Sequence, residues 1–108
     1  PTIGITRVYE QESGILVVTL VPGGPADQAG LRGFVRIQRF RRGNEYFEQR
    51  TMDPSNADLI TAVDGQPVTT ADALLGIIET KTPGTSVDLT VLRDGQVREI
   101  SVRLGQSD

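Results

Sequence analysis

The sequence predicts an α+β fold that is mainly β: five or six short strands forming a small, partly open barrel capped by two helices, one of them very short. Three observations lead there. The apolar runs are short and rich in Val and Ile; Pro-Gly and Asp-Gly dipeptides punctuate them; and a single segment, Ala71–Thr80, carries sustained helical periodicity. Helices are therefore too few for a doubly wound parallel sheet. At 108 residues the chain has the length of one domain with one modest core, so residues 1–108 are read as a single domain.

Ile3-Gly4-Ile5 through Val8-Tyr9 reads as a short strand led in by a glycine-containing loop. Gln11-Glu12-Ser13-Gly14 is the turn into Ile15–Val21, a continuous β-branched run expected of a strand covered on both faces. Pro22-Gly23-Gly24 ends that strand, and Pro25 suits the first turn of a short helix, Ala26–Ala29, closed by Gly30. Asp58–Val63 is a further strand, turned at Asp64-Gly65, a dipeptide able to take positive φ at both positions. Thr69 or Thr70 can cap the helix that follows, in which Ala71, Leu74, Leu75 and Ile78 fall on one face. Pro83-Gly84 stops it. Val87–Leu92 and Val97–Leu104 then flank a second hairpin turn, Asp94-Gly95, with Val87, Leu89 and Val91 and, opposite, Ile100, Val102 and Leu104 alternating as one core face.

Residues 34–56 fit none of these elements. The segment carries Arg36, Arg39, Arg41, Arg42 and Arg50 among aromatic residues, partly balanced by Glu45, Glu48 and Asp53. Phe34–Phe40 has strand character, but the whole interrupts the path from Leu31 to Asp58 and reads as an Arg-rich insertion, of the functional or mobile kind that long excursions in small domains usually are. A solvated loop is favoured for it over nucleic-acid binding, with docking against another part of a parent protein between the two.

Composition excludes much chemistry. Histidine and cysteine are absent, so a Ser-His-Asp triad, a thiol nucleophile, a disulfide and His- or Cys-ligated metal cannot be built from this chain. Ser13, Ser55, Ser86, Ser101 and Ser107 lack a base, and Asp27, Asp58 and Asp64 sit in turn or cap contexts; no catalytic residue, metal or cofactor is expected. A net charge of −3 argues against nucleic acid as the partner. The longest apolar run is far short of the roughly 20 residues of a membrane span, which argues against a membrane partner. No leader is evident, and the start at Pro1 reads as a piece of a longer protein.

Three segments carry a family resemblance. Val21-Pro22-Gly23-Gly24-Pro25-Ala26-Asp27-Gln28-Ala29-Gly30-Leu31 resembles V-x-P-G-S-P-A-x-x-A-G-L, and Ala57–Val68 resembles G-D-x-I-x-x-V-N-G-x-x-V, with Ala57 in place of the Gly. Pro83-Gly84 through Arg93-Asp94-Gly95 resembles P-G-x-x-V-x-L-x-V-x-R-x-G. In this order and spacing they resemble the PDZ domain of a bacterial HtrA/Deg-like trypsin-type serine protease, which implies the PDZ fold with the bacterial strand order.

The resemblance also implies a site. Thr2-Ile3-Gly4-Ile5, with Thr2 in place of the usual aromatic, would be the carboxylate-binding loop, whose backbone N–H groups converge on one anion. Thr6, Arg7 and Val8 would be the edge strand to which a peptide adds. Thr70, Ala71, Leu74, Leu75 and Ile78 would be the helix lining a hydrophobic pocket, with Leu74 and Ile78 slightly preferred over Leu75 or Ile77 as ligand contacts, and Thr70 equally a cap. The implied function is capture of hydrophobic C-terminal tails of unfolded or misfolded proteins for a protease domain of the same chain, in protein quality control. The parent would be an extracytoplasmic serine endopeptidase, trimeric or larger. Alternatives are a PDZ domain of a site-2 metalloprotease, a C-terminal processing protease or a secretion component, or an assembly module whose groove a neighbour fills.

Overall fold

The computed structural model describes residues 1–106, and residues 36–38 by their backbone; Ser107 and the side chain of Arg36, both named above, lie outside the described residues. An antiparallel sheet contains β1 (Ile5–Gln11), β2 (Gly14–Leu20), β5 (Leu59–Val63), β7 (Ser86–Arg93) and β8 (Gln96–Arg103) in that spatial order, and the short β6 (Gln66–Pro67) pairs with β5. Two helices complete the main body, α1 (Pro25–Gln28) and α2 (Ala71–Glu79). The fold is mainly β with two helices, as the sequence predicts.

The core follows the alternation read from the sequence. Ile15, Val17, Ile60, Val63, Val87, Leu89, Val91 and Val102 are all fully buried, and α2 adds Leu74 and Ile78. Burying each such side chain is worth about 1.5–3 kcal/mol, which makes this inner face the main source of stability. Both Asp-Gly turns take the positive backbone angles their residues permit: φ is 48° and 81° at Asp64-Gly65, and 52° and 75° at Asp94-Gly95. Thr70 caps α2, its hydroxyl accepting from the Ala73 N–H at 3.1 Å.

The Arg-rich segment departs from expectation. It is a regular hairpin of β3 (Val35–Arg42) and β4 (Glu45–Met52), paired in unbroken register from Val35 opposite Met52 to Arg42 opposite Glu45. The sequence reading missed β4 because every residue of that strand is exposed. A strand with no buried face leaves no hydrophobic alternation to detect. The hairpin relies on cross-strand contacts: Phe40 and Phe47 stack at 5.4 Å, and the Arg41 guanidinium lies 5.8 Å from the Tyr46 ring centre. At its base Phe34 donates to the Val17 carbonyl at 2.8 Å and meets the Tyr9 ring edge-on at 6.4 Å.

A second correction concerns Asp58, which is not a turn or cap residue on the surface. It is 0% exposed, and its two carboxylate oxygens each accept from Arg93 at 2.7 Å, one from Nε and one from Nη2. The Arg32 N–H donates to the same carboxylate at 2.9 Å, and Arg93 Nη2 also reaches the Gly30 carbonyl at 2.9 Å. The bidentate bond to Asp58 holds the Arg93 guanidinium above its already high pKa. The three sequence segments singled out above therefore meet physically at one buried ion pair.

Candidate functional site

Strand β1 forms one edge of the sheet, so one side of its backbone faces no other strand. Helix α2 lies beside that edge, and the two enclose a groove of about 130 Å³ lined by Ile3, Ile5, Thr6, Arg7, Val8, Ala71, Leu74 and Leu75. That is roughly four times the ~30 Å³ share of a liquid water, room for one aliphatic side chain. Its walls are mostly apolar, and on the helix side Leu75 is 47% exposed whereas Leu74 is buried.

The loop at the end of β1 is tied down through its carbonyls. The Ile3 carbonyl accepts from the Ala26 N–H and the Gly4 carbonyl from the Val21 N–H, both at 2.9 Å, while Thr2 and Gly105 bond to each other twice at the same distance. The N–H groups of Ile3 and Gly4, by contrast, have no protein acceptor among the described residues. Gly4 has φ of +83°, and a Cβ there would come within 3.0 Å of the Pro25 ring, so the turn that frees these amides suits glycine alone. Anchored carbonyls and free amides make a concentration of positive backbone dipole, the arrangement that accepts an anion.

Charge is distributed unevenly along the groove. Arg7 lines it toward the loop, whereas Glu10 stands near the far end of β1 and Asp72 in the first turn of α2. Glu10 Oε1 accepts from the Ala71 N–H at 3.0 Å, a bond from strand to helix across the gap between the two walls. Sequence reasoning did not find Glu10. The two residues are 61 positions apart, and no local pattern relates them.

A larger cleft, about 770 Å³, opens at the base of the β3–β4 hairpin and is lined by Arg32, Asp27, Asp53, Asn56 and Arg93 among others. Size alone would favour it. Its polar groups, however, are engaged internally: Arg93 with Asp58, Arg32 Nη1 with Asn56 Oδ1 at 2.9 Å, and Asp27 with the Gly23 N–H at 2.7 Å. The groove beside β1 has free amides and an unpaired strand edge, and is the better candidate.

Of the residues singled out from the sequence, Ile3, Ile5, Thr6, Arg7, Val8, Ala71, Leu74 and Leu75 come together around this groove, with Thr2 and Gly4 in the adjoining loop. Thr70 serves as the helix cap. Ile78 differs from expectation: at 1% exposure it is sealed in the core and does not line the groove. Within α2 the groove is lined by Ala71, Leu74 and Leu75, of which Leu75 is the exposed one.

Residues 1–104 match the PDZ domain family. Among known proteins, the chain is 30% identical over 96 residues to a probable periplasmic serine endoprotease DegP-like of Halomonas elongata, covering 89% of this chain and 15% of that protein. It is 32% identical over 97 residues to proteins of the same description from Chlamydia trachomatis and Chlamydia muridarum, covering 90% of this chain and 15% of each. The chain thus spans about 15% of the length of these relatives.

Proposed function

Because this chain belongs to the PDZ domain family, whose members are non-catalytic modules, we propose that it captures hydrophobic C-terminal tails of unfolded or misfolded proteins by strand addition. The tail pairs antiparallel with β1. Its terminal carboxylate accepts from the Ile3 and Gly4 N–H groups, and its last side chain enters the groove against Leu74 and Leu75. The observation that carries this reading is the pair of unpartnered amides at the end of an unpaired strand edge, beside an apolar groove sized for one side chain.

By similarity to its relatives, the parent is a serine endopeptidase acting outside the cytoplasm, and the captured tail is delivered to, or activates, its protease domain. The parent is an oligomer of three or more chains. Residues 1–108 form one PDZ domain, with the β3–β4 hairpin as an insertion into it.

Fluorescence polarisation with a short labelled peptide ending in an aliphatic residue tests the reading. A dissociation constant in the micromolar range, about −8 kcal/mol, is expected, since few residues anchor the tail. Amidation of the peptide's C-terminus should weaken binding at least about tenfold, the loss of charge-assisted hydrogen bonds. Equal affinity for free and amidated ends, or no binding to any aliphatic tail, refutes carboxylate capture.

A further inference from the structure

We infer that Glu10 is a specificity-determining residue, selecting bound tails that carry a basic side chain upstream of the apolar end and rejecting acidic ones; this rests on the proposed tail capture. The geometry sets the position. β1 advances about 3.3 Å per residue, so Glu10 lies roughly 16 Å along the strand from Ile5. A tail antiparallel to β1, with its last residue at Ile5, brings its sixth-last residue opposite Glu10. The register irregularities between Ile5 and Val8 place the fifth-last residue within reach as well.

The side chain is aimed at this exit. Val8 and Glu10 share one face of β1 by the two-residue alternation of a strand, and Val8 packs on the core while Glu10 reaches the start of α2. There Oε1 is held by the Ala71 N–H at 3.0 Å, whereas Oε2 has no donor among the described residues. The bond is additional to the helix cap, which Thr70 supplies to Ala73. It fixes a carboxylate between strand and helix and leaves its second oxygen without a donor among the described residues. Glu12 in the β1–β2 turn and Asp72 in the first turn of α2 add negative charge at the same end, against Arg7 toward the loop. The groove is therefore complementary to a tail whose two ends carry opposite charge: carboxylate at the terminus, ammonium or guanidinium five residues before it.

The test uses three labelled peptides with the same aliphatic C-terminus, carrying Lys, Ala or Glu at the fifth- and sixth-last positions. They are titrated against the wild-type chain and Glu10→Gln, which keeps an oxygen for the Ala71 N–H and removes the charge. Circular dichroism checks that the variant folds. The wild type should bind the Lys peptide about three- to tenfold more tightly than the Glu peptide at low salt, a range appropriate to exposed charge pairs. In Glu10→Gln, and in the wild type at high salt, the ratio should fall below about twofold. A ratio near one in the wild type, or one unchanged by Glu10→Gln, overturns the assignment while leaving tail capture intact if the Ala peptide still binds. Failure of the Ala peptide to bind overturns both.

Discussion

The buried pair of Asp58 and Arg93 offers the sharpest test of the fold. Asp58→Ala removes three hydrogen bonds to a fully buried carboxylate, at 2.7, 2.7 and 2.9 Å, and strands a guanidinium whose side chain is 10% exposed and whose remaining partner is the Gly30 carbonyl. Breaking a buried pair from one side costs about 3–5 kcal/mol. Against the roughly 5–15 kcal/mol of stability a domain of this size has, that is a large fraction. At about 4 °C per kcal/mol, the unfolding midpoint should fall by roughly 12–20 °C. Arg93→Met should cost as much or more, because the group left behind is the carboxylate at 0% exposure. Asp58→Leu combined with Arg93→Met replaces both charges with hydrocarbon and should cost less than either single change. Urea unfolding followed by circular dichroism measures all three, with the slope against denaturant showing whether two-state behaviour persists. Single variants losing under about 1 kcal/mol, or a double variant losing the sum of the singles, would refute the assignment of the pair as a coupled, desolvated unit.

Three further outcomes are expected. Leu75→Ser should weaken binding of an aliphatic tail about tenfold while moving stability by no more than about 0.5 kcal/mol, whereas Leu74→Ala, at a buried site, should cost about 2–3 kcal/mol; polarisation and thermal unfolding separate the two. The Asp64 carboxyl is held below 3.8 by the Asp88 N–H at 2.8 Å and by Lys81 at 2.9 Å, so it contributes stability above that pH and loses it as pH falls through the lowered folded value. Asp64→Asn tolerates the φ of 48° and should show a deficit at pH 7 that shrinks toward pH 2 in urea unfolding measured across that range. Replacing residues 36–51 by a short turn should leave both the unfolding midpoint and peptide affinity nearly unchanged, because β4 is exposed throughout and the Phe34 and Asp53 bonds at the hairpin base remain.

What was legible in the sequence divides along a physical line. Val87, Leu89 and Val91 announce their strand because one side of it is buried, and Asp64-Gly65 and Asp94-Gly95 announce their turns because the required φ is written into the residue types. Both signals are local. Residues 45–52 form an equally regular strand and announce nothing, since neither face meets the core. Asp58 and Arg93 were visible as positions in two recurring segments, yet their pairing across 35 residues was not. The helix face is an intermediate case. Spacing puts Ala71, Leu74, Leu75 and Ile78 on one side of α2, but a stripe that wide has a centre and two borders. Only the position of β1 decides that Ile78 is interior and that Leu75 is the border turned toward the groove.

The same division explains why the lining of the candidate groove could be read from the sequence only in part. Each wall of the groove is a local element and could be read alone: a glycine-containing loop, an edge strand, an amphipathic helix. What makes the walls a site is what crosses between them, and that depends on contacts no periodicity encodes. At the Gly4 turn the carbonyls of Ile3 and Gly4 are taken by Ala26 and Val21, while their amides have no acceptor among the described residues. Glu10 matters because the Ala71 N–H holds it at the exit, and Ala71 belongs to a helix 61 residues further along. Selectivity in such a groove is therefore expected to vary through residues like Glu10, which sit at the seams between elements. The elements themselves, held by the Val- and Ile-rich core and the Asp58–Arg93 pair, can stay unchanged while the seam residues differ.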